Sequence, residues 1–259
     1  MIRRTIGLAI LGWLASVSLA AAADPKAVFE ARTYDSPNGG KLKYRLMTPE
    51  NYDPKQKYPL VLFLHGAGER GDDNTVQLVH GMKDFASDEN RAKYPCFVLA
   101  PQCPNGKKWA EVDWGADTHK TPAEASDPMR LTLEVIAGLE KQFSIDTKRL
   151  YVTGLSMGGY GTWDLISRKP NMFAAAIPIC GGGDETEAAK IAKIPIWVFH
   201  GDKDSAVKVE RSRRMVKAIE AEGGKPKYTE YAGVGHDSWS RTYADPNVFE
   251  WLFSQKRTD

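Results

Sequence analysis

The sequence predicts a three-layer α/β sandwich on a mostly parallel sheet, and three observations carry that prediction. Short, continuously apolar runs recur along the chain, Tyr58 to Leu64 being the clearest, as expected of strands buried on both faces. Between several of them lie longer segments with apolar residues at helical spacing, and strands alternating with helices imply parallel crossovers. Finally, Leu150 to Val152 reads as a strand and Tyr160 to Ile166 as a helix, with only Thr-Gly-Leu-Ser-Met-Gly-Gly between them. A chain that passes so directly from strand to helix must bend sharply at Ser156.

In chain order, Val28 to Tyr34 and Lys41 to Met47 are separated by Ser-Pro-Asn-Gly-Gly, which is turn chemistry, so they form an antiparallel hairpin. Leu42, Tyr44 and Leu46 alternate with Lys41, Lys43 and Arg45, giving that hairpin one buried face. Further apolar runs at Cys96 to Pro101, Ala174 to Ile179 and Ile194 to Phe199, with a last strand at Pro226 to Tyr231, bring the sheet to about eight strands. Helices are expected over Met129 to Phe143, Val209 to Glu220 and Val248 to Phe253. Pro104 to Asp127 contains Trp109 and Trp114 among many charges without a clear period, and reads as a long loop over one end of the sheet. No internal repeat, low-complexity segment or linker interrupts the chain.

Residues 1–23 have the form of a signal peptide. Arg3 and Arg4 precede an apolar stretch from Ile6 to Leu19, and Ala20 to Ala23 supply small residues for cleavage. The expected product is an exported protein, periplasmic or extracellular, with residues 24–259 forming one catalytic domain. A retained N-terminal anchor is the alternative. Charge is nearly balanced, 35 basic against 33 acidic side chains, which removes nucleic acid and anionic membranes as main partners. Cys96, Cys103 and Cys180 are too few for a disulfide framework. No C-x-x-C, H-E-x-x-H or acidic calcium loop suggests a metal.

Ligands of such sheets bind beyond the carboxyl ends of the strands, so the polar residues there are the candidates. Gly154, Ser156 and Gly158 form G-x-S-x-G, in which small neighbours let a strained turn present the serine hydroxyl. Leu64-His-Gly-Ala-Gly-Glu-Arg-Gly71 leaves a strand into a glycine-rich turn able to aim a backbone N–H at a developing oxyanion. Asp202 and Asp204 follow the strand ending at His200-Gly201, and His236 follows the last strand. With these motifs the chain resembles the α/β-hydrolase superfamily of serine esterases. It is most similar to the carboxylesterase and dienelactone-hydrolase-like branch, which includes bacterial predicted peptidases and polyhydroxybutyrate-depolymerase-like esterases.

The resemblance covers nearly all of the chain after the signal. It implies the three-layer α/β-hydrolase fold and the order nucleophile Ser156, acid Asp204, base His236. It also implies an oxyanion hole made by the N–H groups of Met157 and Ala67, and a reaction that needs no cofactor. Asp202 competes with Asp204 as the acid, and the family's His-Gly-x-x-Asp pattern favours Asp204. Ser205 and Ser238 neighbour candidate residues but occupy no strand-to-helix elbow. His65 and His200 suit packing or supporting roles, and His80 and His119 read as surface residues. Glu69 and Arg70 are candidates for the substrate pocket or for an ion pair shaping the oxyanion turn. Trp109, Trp114 and Trp239 are candidate pocket walls, Trp163 is core, and the Lys and Arg of Val209 to Glu220 form a solvated face. The expected substrate is a small or short-acyl ester, or a feruloyl or acetyl ester on a carbohydrate. A serine peptidase of prolyl-oligopeptidase type and a non-catalytic binding module are the competing readings.

Overall fold

The computed structural model describes residues 24–258, so the expected signal peptide lies outside the described residues. Eight strands form one sheet: β1 (Glu30–Asp35), β2 (Lys41–Met47), β3 (Tyr58–Leu64), β4 (Phe97–Pro101), β5 (Ile145–Leu155), β6 (Ala175–Ile179), β7 (Trp197–Gly201) and β8 (Lys227–Tyr231). Their order is β1-β2-β4-β3-β5-β6-β7-β8. β1 pairs antiparallel with β2 and β2 antiparallel with β4, and every later pairing is parallel. This is the α/β-hydrolase fold; the expected N-terminal antiparallel hairpin forms, and it stands at one edge of the sheet.

The continuous apolar runs have their physical reason in two cores. Along β3 every residue is buried; Leu60, Leu62 and Leu64 face one core and Val61 and Phe63 the other, because alternate side chains leave opposite faces of a strand. On the first face lie helices Asp127–Gln142, Met157–Arg168 and Glu210–Ala221. On the second lie Met82–Phe85, Trp239–Ala244 and Pro246–Ser254. Among the described residues, no helix is long and apolar enough to cross a membrane.

Several boundaries differ from the sequence pattern. The first strand begins at Glu30 because Asp24 caps a short helix over Pro25–Val28, its side chain accepting the N–H of Lys26 at 3.0 Å. β5 is far longer than its apolar run: after an irregularity at its start, Leu150 to Gly154 pair with Leu60 to Leu64, so Thr153 and Gly154 belong to the ladder despite their composition. β7 starts only at Trp197; Ile196 contributes a single bridge to Ala176 and Pro195 has no N–H to donate. Helices Met82–Phe85, Asp88–Lys93 and Trp239–Ala244 are additional elements, too short to register as a period in sequence.

Candidate active site

β3, β5, β7 and β8 run parallel and end at one edge of the sheet, which brings the His65 turn, Ser156, Asp204 and His236 together. Ser156 stands between β5 and helix Met157–Arg168 with φ 53° and ψ −116°, a conformation that L-residues adopt at a cost of about 1–3 kcal/mol. The motif glycines are sterically required. A Cβ on Gly158 would sit 1.8 Å from the Leu64 carbonyl oxygen, and one on Gly154 would sit 2.4 Å from the Gly158 oxygen. The Ser156 N–H donates to the Ile179 carbonyl at 3.0 Å, fixing the elbow to β6 as well.

Ser156 Oγ lies 2.9 Å from His236 Nε2, and His236 Nδ1 lies 2.7 Å from Asp204 Oδ2. The other carboxylate oxygen of Asp204 accepts the N–H groups of Ala206 at 2.8 Å and Val207 at 2.9 Å. The Asp204 side chain has no solvent exposure, and that burial pushes its pKa up. Hydrogen bonds from His200, His236 and the Val207 N–H outweigh the burial and hold the carboxyl well below the usual carboxylate range. Asp202 points elsewhere. Its Oδ1 accepts the Gly233 N–H at 2.7 Å, and the Lys203 N–H donates to the Val234 carbonyl at 2.9 Å, so this turn ties the loop carrying Asp204 to the loop carrying His236.

The turn after β3 is held as firmly. The Cys103 N–H donates to His65 Nε2 at 2.9 Å, which leaves Nδ1 as the protonated nitrogen, and Nδ1 donates to the Gly66 carbonyl at 2.6 Å. A planar trans peptide sets C=O and N–H on opposite sides, so this bond fixes the plane in which the Ala67 N–H lies. On the far side of Ala67, Arg70 Nε donates to its carbonyl at 2.9 Å. Ala67 opens a 3-10 turn and Met157 opens an α-helix, and the first N–H groups of a helix have no acceptor within it. Burial lowers His65 to about 4, consistent with a neutral ring that accepts from Cys103.

The remaining candidates divide. Trp114 is partly buried beside the turn, with the Arg70 guanidinium 5.9 Å and Lys108 Nζ 4.8 Å from its ring centre. Trp239 meets the His236 ring at right angles, centroids 5.2 Å apart, and so flanks the base. Trp109 is not a pocket wall: it is fully buried and its Nε1 donates to the His65 carbonyl at 3.0 Å, which makes it a support of the turn. Glu69 and Arg70 do not pair with each other. Glu69 pairs with His80 at 3.5 Å, and the hydrogen bond that Glu69 accepts from it raises the His80 pKa. His80 in turn lies 5.3 Å from the Trp239 ring, at the margin of the site rather than on a remote surface.

Two further expectations are corrected. Arg211 does not belong to a solvated face: it is 1% exposed, with Nη1 donating to Ala116 O at 2.7 Å and Nη2 to Gly183 O at 3.1 Å. Its place is open because Gly182 has no side chain; a Cβ there would lie 2.6 Å from Arg211 Nε. His119 is likewise half-buried, its Nδ1 2.5 Å from Arg211 Nη2, and burial together with the Arg211 charge lowers it to about 4. Among the described residues, one group of potential metal donors converges, Cys180, Asp204 and His236, with ligand atoms within 4.8 Å of one another. Asp204 and His236 already engage each other, and burial raises the Cys180 thiol far above its usual value, so this donor set does not fit a resident cation.

Ser156, His236 and Asp204 thus form a continuous hydrogen-bonded chain, an arrangement suited to acyl transfer. A family model described as the dienelactone hydrolase family matches residues 115–247. A solved thermostable esterase superposes with a TM-score of 0.83 and 45% identity, covering 89% of this chain and 64% of that one. A bifunctional acetylxylan esterase/xylanase of Neocallimastix patriciarum is 27% identical over 71% of this chain and 24% of its own length. A poly(3-hydroxybutyrate) depolymerase of Ralstonia pickettii is 29% identical over 75% of this chain and 42% of its own length. The chain therefore spans less than half the length of either of these two curated relatives.

Proposed function

The chain belongs to the dienelactone hydrolase family, and on that premise we propose that it is an exported serine carboxylic-ester hydrolase whose residues 24–259 act as one catalytic domain. The observation that carries the reading is the chain of contacts from Ser156 Oγ through His236 to Asp204, 2.9 and 2.7 Å long, at a strained elbow. His236 Nε2 takes the hydroxyl proton as Ser156 attacks the ester carbonyl. Asp204 keeps Nδ1 protonated and stabilises the imidazolium. The N–H groups of Ala67 and Met157 receive the negative charge of the tetrahedral oxygen. His236 then gives its proton to the departing alcohol, and a water activated by the same nitrogen releases the acid from Ser156. None of these steps calls for a cofactor.

The substrate class is a small or short-acyl ester, since no long apolar insertion of the lipase-lid kind interrupts the sequence. Within that class, acetyl esters on carbohydrate are supported by the acetylxylan esterase named among the relatives, and feruloyl esters by the aromatic Trp239 beside His236 and Trp114 beside Arg70. The test is hydrolysis of 4-nitrophenyl acetate, butyrate and octanoate by wild type and Ser156→Ala. Turnover is expected to fall by on the order of 10⁴- to 10⁶-fold in the variant. An inactive wild type, or a variant as active as wild type, refutes the reading. Acetylxylan, methyl ferulate and a short-chain triglyceride, run side by side, separate the substrate classes.

A further inference from the structure

Two histidines converge on the same oxygen of Asp204. His236 Nδ1 lies 2.7 Å from Oδ2, and His200 Nε2 lies 3.1 Å from it. His200 sits in β7, is fully buried, and has no route to substrate. Its protonation pattern follows from its neighbours. Nε2 is also 2.9 Å from the Val207 carbonyl, which only accepts, so Nε2 carries a hydrogen, which bonds Val207 O and lies beside Asp204 Oδ2, 3.1 Å from Nε2. Nδ1 is 2.7 Å from Ser212 Oγ, whose alternative acceptor, the Gly181 carbonyl, is 3.4 Å away. The shorter contact makes Ser212 the donor and Nδ1 the acceptor.

We propose that His200 and Ser212 are positioning residues that extend the Ser156–His236–Asp204 chain by two members and hold the carboxylate in its working orientation. The inference rests on the triad reading above. Ser212 selects the His200 tautomer, and that tautomer sets a protonated Nε2 3.1 Å from Oδ2. The Ala206 and Val207 N–H groups occupy Oδ1, so His200 Nε2 is the second N–H group held against the oxygen that faces His236. Without it the buried carboxylate is free to turn about its last bond and is less firmly kept ionised, and both changes weaken its grip on the imidazolium that forms during the reaction. A histidine that merely fills the core would need neither the hydroxyl on Nδ1 nor a protonated nitrogen 3.1 Å from Oδ2.

The experiment compares wild type, Ser156→Ala, His200→Leu, His200→Gln, Ser212→Ala and the His200→Gln/Ser212→Ala double variant on 4-nitrophenyl acetate, with kcat, KM and Tm measured for each. For His200→Leu, kcat is expected to fall by about 10- to 100-fold, the loss of a hydrogen bond to a buried charge, while KM stays within about 2-fold. Gln carries an N–H that reaches the same oxygen and is expected to recover most of the loss. Ser212→Ala is expected to lower kcat by about 3- to 10-fold in wild type and to have no effect on the Gln background, where no tautomer remains to select. Equal losses for Leu and Gln that track Tm, or the same Ser212→Ala effect on both backgrounds, overturn the inference. If His200→Leu fails to fold, the Gln and Ser212 comparison decides alone. Ser156→Ala separates the two failures. If it stays active, the triad reading falls and this one with it; if it is inactive while the His200 results go the other way, only this inference falls.

Discussion

Arg211→Met is the most informative perturbation outside the triad, because one buried guanidinium fastens the loop from Pro104 to Asp127 to the body of the fold. Methionine preserves most of the volume and removes the charge. Lost are the bonds to Ala116 O at 2.7 Å, to Gly183 O at 3.1 Å and to His119 Nδ1 at 2.5 Å, together with the stacking 5.5 Å above the Tyr160 ring. Each buried acceptor left without a donor costs about 1–3 kcal/mol, and about two of the three cannot reach water without loop movement. Against this, the variant no longer desolvates a charge that has no carboxylate partner, which offsets part of the loss. The net expectation is about 3 kcal/mol of destabilisation, or a fall in Tm of about 6–12 °C for a domain of this size. Calorimetry measures the shift, and limited trypsin digestion with mass mapping should show new cleavage at Lys120 and its neighbours. A Tm within about 2 °C of wild type and an unchanged digest would show that the other contacts of the loop suffice, and would refute the reasoning.

Three further outcomes follow from the geometry. Gly158→Ala places a methyl 1.8 Å from the Leu64 carbonyl oxygen and 2.9 Å from that of His65, both backbone, so it should cost about 3 kcal/mol or more; soluble yield and Tm check it, and a variant with wild-type Tm and kcat contradicts it. Asp204→Asn should lower kcat on the order of 10⁴-fold, whereas Asp202→Asn keeps an oxygen for the Gly233 N–H and should stay within a few-fold; the reverse ranking would move the acid to position 202. The pH dependence has a definite sign. His65 titrates near 4 in the fold against about 6.5 unfolded, so its contribution is fully present above 6.5 and is lost as pH falls toward 4, about 3 kcal/mol in all. His119 acts in the same direction but more weakly, because solvent screens it, while His80, raised by Glu69, is stabilising below 6.5 and offsets part of the loss. Urea midpoints that stay flat between pH 7 and 4.5 would rule this out.

The fold was legible because its strands are buried on both faces, so composition alone marks Tyr58 to Leu64 and its equivalents. The elbow was legible for a different reason: two backbones cross within van der Waals distance there, and only glycine permits it at 154 and 158. What stayed hidden depends on where one polar atom finds its partner. Trp109 has the composition of a pocket wall, but its single donor is spent on the His65 carbonyl. Arg211 stands in a run of charges that otherwise faces water, and is buried only because Gly182, far away in sequence, leaves room. His200 is the intermediate case. His-Gly-x-x-Asp places it four residues before the acid across a turn, a spacing that allows contact, whereas Ser212 comes from a separate helix that no local pattern connects to it.

The long loop and the turn after β3 are mechanically one unit. Trp109 bonds the His65 carbonyl, Ser126 Oγ donates to the Trp109 carbonyl at 2.8 Å, and Arg70, which holds the Ala67 carbonyl, stands against Trp114. The same loop is tied down at its far end, where the Thr121 N–H donates to Asp184 at 2.7 Å and Arg168 donates to the Pro122 carbonyl at 2.6 Å. A segment bonded to the turn near its start and tied down toward its end cannot shift without disturbing the peptide that carries the Ala67 N–H. A donor held in place before charge develops stabilises the transition state without reorganising, which is where rigid supports contribute most. Changes within Pro104 to Asp127 should therefore act on kcat more than on KM, even at residues that never touch substrate. Trp114 and Lys108 of the loop stand together with Arg70 of the turn, and substitutions at these three are expected to change the ranking among esters more than the overall rate.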